Sequence, residues 1–221
     1  FLVTCPINRY SYALSNVIHP FSKTYCALQP KSAQARKLVE QLVYSKKNTS
    51  ICPPVYVRSD IIQGKGMASS SADISVTAMA TALAMDYDLS LKELEQICLS
   101  VEPTDASFYQ GVTQFDYIKG TISQPLGMCP PLKILVFDEG GSIDTVSFNK
   151  QADLQNKILE KESIIRESLE LFKNGLITHD IKLIGQAATL SAFGNQRILY
   201  KPNLYDFHDI GNYYNSVGTI I

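Results

Sequence analysis

The sequence of 221 residues contains no tryptophan, no CxxC pair of cysteines and no excess of basic residues. Its five cysteines are odd in number and far apart, so neither a disulfide framework nor a zinc knuckle is supported as the basis of the fold. Lys plus Arg total 20 against 21 for Asp plus Glu, so the formal net charge of -1 argues against nucleic acid or an anionic membrane as a partner. We expect reduced thiols and a cytoplasmic protein.

Long apolar runs are missing too. No stretch approaches the roughly 20 apolar residues that a membrane-spanning helix needs, and the first residues lack the pattern of a signal peptide. Apolar residues make up 45% of the chain and charged residues 19%, which is typical of a globular protein with a sizeable core. Because the chain starts at Phe1 rather than Met and ends in what resembles the beginning of a strand, we expect both ends to be trimmed.

Two common nucleotide-binding signatures, GxxxxGK[ST] and GxGxxG, do not occur in the sequence. A nucleotide would therefore have to bind through a different glycine loop. The usual P-loop and dinucleotide-binding folds are disfavoured.

Hydrophobic periodicity divides the chain into an α+β part followed by a mostly helical part. In the first part we predict helices at 33–44, 72–85 and 91–101 and strands at 1–4, 10–18, 55–62, 132–137 and 144–148. In the second part we predict helices at 151–174, closed by Gly175, and at 179–192 and 202–214. The shift in composition predicts a domain boundary near residue 149, with domains at 1–149 and 150–221.

A run of small residues precedes the predicted helix at 72–85. It comprises Gly64, Lys65, Gly66, Met67, Ala68, Ser69 and Ser70, with Ser71 following. Small residues let the backbone approach an anion closely, and a helix N-terminus favours negative charge, so the run suits phosphate groups. The serines fit two roles, as helix N-caps or as a hydroxyl ligand of Mg²⁺. Lys65 fits either a phosphate contact or a solvated loop.

Two carboxylates lie three residues apart where the helix at 91–101 ends, Glu102 before Pro103 and Asp105 after it. One could hold Mg²⁺ while the other faces a substrate hydroxyl, as phosphoryl transfer requires. Acidic residues beside a proline also commonly cap or solvate a turn. Taken alone, this pair leaves both interpretations open.

Together the two motifs resemble those of the GHMP kinase superfamily, whose ATP loop has the form P-x-x-x-G-L-G-S-S-A. Residues 66–70 correspond to its G-L-G-S-S part, with departures at Ile62, where the family often has Pro, and at Ala68, where it usually has Gly. Within the superfamily, residues 65–74, 102–105 and 185–192 resemble the group of L-threonine kinases of cobalamin side-chain synthesis.

The resemblance implies an α+β fold in two domains, an N-terminal domain like domain 2 of ribosomal protein S5 and a ferredoxin-like C-terminal domain. It implies a cytoplasmic enzyme that uses ATP and Mg²⁺ to phosphorylate a small molecule, L-threonine. Gly64 to Ser70 would wrap the ATP phosphates, Ser69 and Glu102 would bind Mg²⁺, and Asp105 would face the acceptor hydroxyl. Two further family motifs are expected before Phe1 and after Ile221.

Two alternatives stay open at this point. The acceptor could be homoserine or another small alcohol, because the residues that would grip the amino acid are not identifiable. The chain could also be a non-catalytic nucleotide-binding protein that has kept the fold. The presence of both Ser69 and Glu102 favours an enzyme, since a protein that only binds has no need of the second oxygen ligand.

Overall fold

The computed structural model describes residues 1–16, 25–47, 52–138, 140 and 153–220. The chain forms two compact units, the first comprising Phe1–Pro125 and Asp138–Ile143 and the second Leu126–Phe137 and Asp144–Ile221. The boundary predicted near residue 149 lies outside the described residues.

The described strands form two small sheets and are β1 Leu2–Thr4, β2 Ser11–Ser15, β3 Val55–Ser59, β4 Val112–Phe115 and β5 Ser123–Gly127. A three-stranded sheet has the order β1-β4-β5, and β1 pairs antiparallel with β4, with Leu2 opposite Phe115. A separate two-stranded sheet pairs β2 with β3 antiparallel, with Ser11 opposite Ser59.

Three helices enclose the core of the first unit, α1 Pro30–Lys47, α2 Ser69–Ala84 and α3 Leu91–Val101. Apolar residues at helical spacing meet along their shared faces and are almost fully buried: Ala35, Val39 and Val43 of α1, Ile74, Ala78 and Ala82 of α2, and Leu94, Ile97 and Cys98 of α3. The small side chains of α2 allow its neighbours to pack closely. The helices predicted at 33–44 and 72–85 are found, each beginning three residues earlier.

A capping box begins α3, as its sequence predicts. The Glu93 backbone N–H donates to Ser90 Oγ at 3.3 Å, and the Ser90 backbone N–H donates to Glu93 Oε2 at 2.9 Å. Lys46, near the end of α1, donates to the other oxygen of Glu93. The start of α3 is thus linked to α1. This link helps to fix the position at which the chain leaves α3 after Val101.

The second unit contains, among its described residues, four helices, α4 Leu154–Glu160, α5 Glu162–Thr178, α6 Ile181–Asn195 and α7 Leu204–Tyr213. The single helix predicted at 151–174 is wrong, because Lys161 separates two helices. Gly175 does not close a helix either. It lies inside α5, where a β-carbon would come within 2.9 Å of the Ile184 backbone nitrogen, so its role is to let α6 approach. The residue that ends α5 is His179, with φ 55°.

Residues 132–137 are not the buried strand that their apolar composition predicts. They are assigned to no strand, and Leu135 and Phe137 are 79% and 57% exposed. Phe137 instead stacks on Phe207 of α7, with ring centroids 4.7 Å apart. Composition alone could not separate an exposed apolar segment from a core strand. Its predicted partner at 144–148 lies outside the described residues.

Glu93 provides a test of how α3 is held in place. Hydrogen bonds from Lys46, Ser90 and Tyr87 lower the pKa of Glu93 from its ordinary 4.5 to about 2. A lowered pKa stabilises the fold above the unfolded-state pKa, and this contribution is lost as the pH falls toward the folded-state pKa. Glu93→Gln, which keeps the cap but removes the charge, should lower the free energy of unfolding by about 1 kcal/mol at neutral pH.

Urea unfolding between pH 7 and pH 3 measures this difference, which should be constant above about pH 5 and shrink below it. Glu170→Gln is the control, because Glu170 forms an exposed pair with Lys173 at 3.3 Å and should change stability little at any pH. A Glu93→Gln difference that stays the same at pH 3 would rule out the charge as its source.

Candidate functional site

The loop before α2 has a backbone suited to binding an anion. Gly64, Gly66 and Ala68 adopt left-handed conformations with φ of 72°, 71° and 57°, at every second position. Left-handed residues alternating with others direct backbone N–H groups into a shared concavity, the arrangement from which anion-binding nests are built. A β-carbon placed on Gly66 would meet no atom within 4 Å, so open space lies beside the loop.

The N-terminus of α2 follows this loop without a side-chain cap. Ala68 is the N-cap residue, and its carbonyl accepts the first helical hydrogen bond from Ala72 at 3.0 Å. The helix begins at Ser69, so the N-cap role that the sequence left open for the serines is not the one they take. The first backbone N–H groups of a helix have no partner within the helix and carry its positive dipole end, which favours a bound anion.

Glu102 meets this N-terminus through Ser70. Ser70 Oγ donates to Glu102 Oε1, and Lys31 Nζ, from the first turn of α1, forms an ion pair with Glu102 Oε2. The Glu102 side chain is only 8% exposed. Ser69, which the sequence paired with Glu102, is itself buried, and the serine whose hydroxyl reaches the carboxylate is Ser70.

The segment after α3 is fixed by hydrogen bonds to three other parts of the first unit. The Asp105 backbone N–H donates to Ser71 Oγ at 3.0 Å, linking this segment to α2. The backbone N–H of Ala106 donates to the Thr4 hydroxyl at 3.3 Å, and that of Thr104 donates to the Tyr117 carbonyl at 2.9 Å. Pro103 prevents the helix from continuing, so both acidic side chains leave α3 at a defined position.

Burial and neighbouring charge alter the acid–base properties of this segment. The pKa of Asp105 is raised, first by burial and then by the negative charge of Glu102. The same two causes raise the pKa of Cys98, in the last turns of α3, to about 12. Cys98 is thus a structural thiol rather than a nucleophile, whereas Asp105 is a carboxylate with an increased affinity for a proton.

A second buried carboxylate, Asp73, lies one turn further along α2. It is 7% exposed and accepts a hydrogen bond from Ser11 Oγ at 2.5 Å, while the hydroxyls of Ser11 and Ser59 lie 2.9 Å apart. Burial raises the pKa of Asp73, and these hydroxyls partly oppose the shift. The contact anchors α2 to the β2–β3 sheet and so helps to fix the direction of the helix.

A cavity of about 410 Å³ lies beside the loop in the first unit. Its wall combines the segment after β1, the loop residues Met67 and Ala68, one face of α2, and residues at the start of α3. Most of the lining is apolar, but Arg9, Ser11 and Ser107 add polar groups. Ser107 Oγ is buried and has no hydrogen-bond partner among the described residues, so it is available to a polar group of a bound molecule.

The oxygen atoms at Glu102 suit Mg²⁺. This ion prefers oxygen ligands and is usually held by one or two carboxylates together with substrate phosphates, rather than by a full set of protein ligands. A carboxylate, a serine hydroxyl and a phosphate-binding N-terminus meet that requirement. Within the part of the chain that the structure describes, no group of three or more His, Cys, Asp or Glu residues could hold a metal ion.

The other expected residues are placed as follows. Lys65 forms an ion pair with Asp138, with Nζ and Oδ1 2.7 Å apart, so its charge is already engaged within the first unit. Asp105 follows Glu102 closely and is connected through its backbone to the start of α2. The structure therefore brings Ser70, Glu102 and the Asp105 segment together at one helix end.

Sequence reasoning missed two of these contacts. Lys31 lies 71 positions before Glu102, and nothing in its immediate neighbours distinguishes it from a surface lysine. The sequence does give an indication for Asp73. An aspartate within the small, apolar run of α2 would be buried and would need a hydrogen-bond partner. Its partner Ser11 could not be chosen without the fold.

Comparison with known proteins gives a family model and two relatives that match the chain. Residues 33–111, which include the loop, α2 and Glu102, match the model of the GHMP kinases N terminal domain. The α+β character and the family resemblance inferred from the sequence are thereby confirmed. No solved structure is significantly similar to the chain.

Within that class the chain is similar to two L-threonine kinases. It is 31% identical to the one from Salmonella typhimurium over 204 residues, which cover 91% of this chain and 65% of the relative. It is 29% identical to the one from Citrobacter freundii over 203 residues, covering 91% of this chain and 68% of the relative. The chain thus spans about two thirds of the length of these relatives. Among the described residues, no helix is both long and apolar enough to cross a membrane.

Ala68 provides a test of the loop conformation. A left-handed conformation costs a residue with a β-carbon about 1–2 kcal/mol, and glycine avoids this cost while losing about 0.5–1 kcal/mol of backbone entropy. Ala68→Gly should therefore raise the free energy of unfolding by about 0.5–1 kcal/mol. Ala72→Gly, in the right-handed first turns of α2, is the control and should lower it by about 1 kcal/mol. Denaturant unfolding distinguishes the two, and equal destabilisation by both variants would contradict the left-handed assignment.

Proposed function

We propose that this chain is part of a kinase that uses ATP and Mg²⁺ to phosphorylate the side-chain hydroxyl of L-threonine. The observation that carries the proposal is the contact between Ser70 and Glu102 at the N-terminus of α2, directly after a loop with three left-handed residues. The names of the two relatives support L-threonine as the acceptor. The reaction converts L-threonine and ATP into O-phospho-L-threonine and ADP.

The ATP phosphates bind at residues 64–70 in this proposal. Backbone N–H groups of the loop and of the first turn of α2 donate to phosphate oxygens, and the helix dipole offsets their charge. The open space beside Gly66 leaves room for the phosphates. The departure from the family pattern at Ala68 does not prevent this, because Ala68 holds the left-handed conformation that glycine usually supplies.

Glu102 and Ser70 are the residues that hold Mg²⁺. Glu102 is nearly buried at the end of α3, and Ser70 presents its hydroxyl to it from α2. When bound there, Mg²⁺ supplies positive charge that offsets the charge on the transferring phosphoryl group. Ser69, the ligand expected from the sequence, serves as the alternative that mutation can separate from Ser70.

Asp105 is the proposed partner of the acceptor hydroxyl. The threonine Oγ forms a bond to the γ-phosphorus while the bond between that phosphorus and the bridging oxygen of ADP breaks, and the hydroxyl proton passes to the Asp105 carboxylate. Burial and the charge of Glu102 raise the pKa of Asp105, which strengthens it as a proton acceptor. The backbone link to Ser71 keeps the residue next to the phosphate site.

The wider setting is part of the same proposal. By its resemblance to the L-threonine kinases of cobalamin side-chain synthesis, the enzyme would act in the cytoplasm and deliver its product to that synthesis. The second domain would complete a ferredoxin-like fold, of which the four helices of the second unit are the described portion.

Substitutions at the proposed metal ligands test the site. In the full-length protein, Glu102→Gln should lower kcat by about 100-fold or more, since the charge that holds the metal is lost. Ser70→Ala should lower it by roughly 10-fold, because water can replace a neutral hydroxyl ligand. Ser69→Ala is the matched control and should have a much smaller effect. Steady-state ADP release with far-ultraviolet circular dichroism of each variant gives the comparison, and a larger loss in Ser69→Ala than in Ser70→Ala would reverse the ligand assignment.

The acceptor is tested by measuring ADP release from Mg-ATP with L-threonine, L-serine, L-homoserine and no acceptor, with mass spectrometry of the products. L-threonine should give the highest kcat/KM and a product carrying one phosphoryl group on its side chain. Preference for L-homoserine would replace the acceptor but keep the kinase. Binding of ATP with no turnover on any acceptor would instead indicate a non-catalytic nucleotide-binding protein.

A further inference from the structure

Among the described residues, Glu102 has two side-chain partners, Ser70 and Lys31, and the proposed reaction gives Lys31 no role. Its ammonium group forms an ion pair with Glu102 Oε2, whereas the Ser70 hydroxyl donates to the other oxygen, Oε1. The two partners differ in their surroundings, because the Lys31 side chain is 50% exposed and that of Glu102 only 8%. The carboxylate is therefore the fixed end of the pair, and the lysine is the end that can move into solvent.

A nearly buried carboxylate needs a compensating positive charge. In the protein alone this charge comes from Lys31, with the Ser70 hydroxyl as a second donor. A divalent cation on Glu102 would satisfy the same oxygen atoms, and an ammonium group and a metal ion a few ångströms apart repel each other. Metal binding at Glu102 and the contact with Lys31 are therefore in competition.

The place that Lys31 would move to is close by. Ser70 is the second residue of α2, where the phosphates are proposed to bind. Glu102 contacts both Ser70 and the ammonium group of Lys31, so this group lies near the N-terminus of α2. Lysine is a compact, flexible cation that pairs readily with phosphate oxygens. A short side-chain rotation would carry the charge from the carboxylate to a phosphate.

We propose that Lys31 is a positioning residue that exchanges partners: it neutralises Glu102 in the empty site, and it transfers to a phosphate oxygen when metal and nucleotide bind. The inference deepens the proposed function and rests on it for the identity of the phosphate ligand. The exchange keeps Glu102 oriented between turnovers and moves a positive charge to the nucleotide only when the metal has arrived.

This exchange predicts effects of opposite sign on two binding steps. Lys31→Met removes the competitor, so Mn²⁺, used as a probe for Mg²⁺, should bind about five- to tenfold more tightly in the absence of nucleotide. The same variant loses a phosphate contact, so the KM for ATP should rise about tenfold. Lys31→Arg keeps the positive charge and should restore most of both properties. A purely structural role for Lys31 would weaken both steps together.

Lys46→Met is the matched control. Lys46 is 48% exposed and pairs with Glu93, much as Lys31 pairs with Glu102, but this pair belongs to the capping box of α3 rather than to the site. Its loss should change neither the Mn²⁺ affinity nor the KM for ATP. Thermal unfolding of each variant establishes that the fold is intact, and Lys31→Gln replaces Lys31→Met if the latter does not fold.

Electron paramagnetic resonance of free Mn²⁺ in titrations of the full-length protein measures the first step, and Glu102→Gln identifies the site by abolishing that binding. Unchanged or weaker Mn²⁺ binding in Lys31→Met overturns the exchange, whatever the acceptor proves to be. Tighter Mn²⁺ binding with an unchanged KM for ATP overturns the transfer to phosphate. Failure of the proposed function would show separately, as an absence of turnover in the wild-type protein that still binds Mn²⁺ at Glu102.

Discussion

The site depends on holding one carboxylate, that of Glu102, almost out of water at the positive end of a helix. A charge in that position would be costly if it were isolated, and it is stable here because a hydroxyl and an ammonium group take its two oxygen atoms. Those partners come from α1 and α2, whereas the carboxylate comes from the end of α3. The packing of the three helices therefore sets the geometry of the site. The site forms only when all three helices hold these relative positions.

The loop and the segment after α3 have different roles in this arrangement. The loop approaches the helix N-terminus through left-handed residues, one of which is an alanine that carries conformational strain. The segment after α3 is held by backbone hydrogen bonds to Ser71, Thr4 and Tyr117, which fix it without using its acidic side chains. The backbone between Glu102 and Asp105 is thus held in place by contacts that involve neither acidic side chain.

The sequence was most informative where local chemistry decides the structure. The capping box at Ser90 and Glu93, the helical spacing of α1 and α3, and the small-residue loop before α2 all lead to the observed elements because each depends on near neighbours. Predictions that depend on distant partners were weaker. Glycine is typical of a helix end, but the role of Gly175 is set by the close approach of Ile184 in the neighbouring helix α6. The apolar composition of residues 132–137 did not indicate that these residues would be exposed.

The same limit explains why the candidate site was predicted only in part. Both motifs were found in the sequence, since a glycine loop and a pair of carboxylates are local patterns. Which serine meets Glu102 depends on the rotation of α2, because successive residues of a helix point about 100° apart. That rotation is set by Asp73 with Ser11 and by the buried face around Ile74, both of which are tertiary contacts. The choice between the neighbouring positions Ser69 and Ser70 is therefore what a motif leaves open when the packing that orients it is unknown.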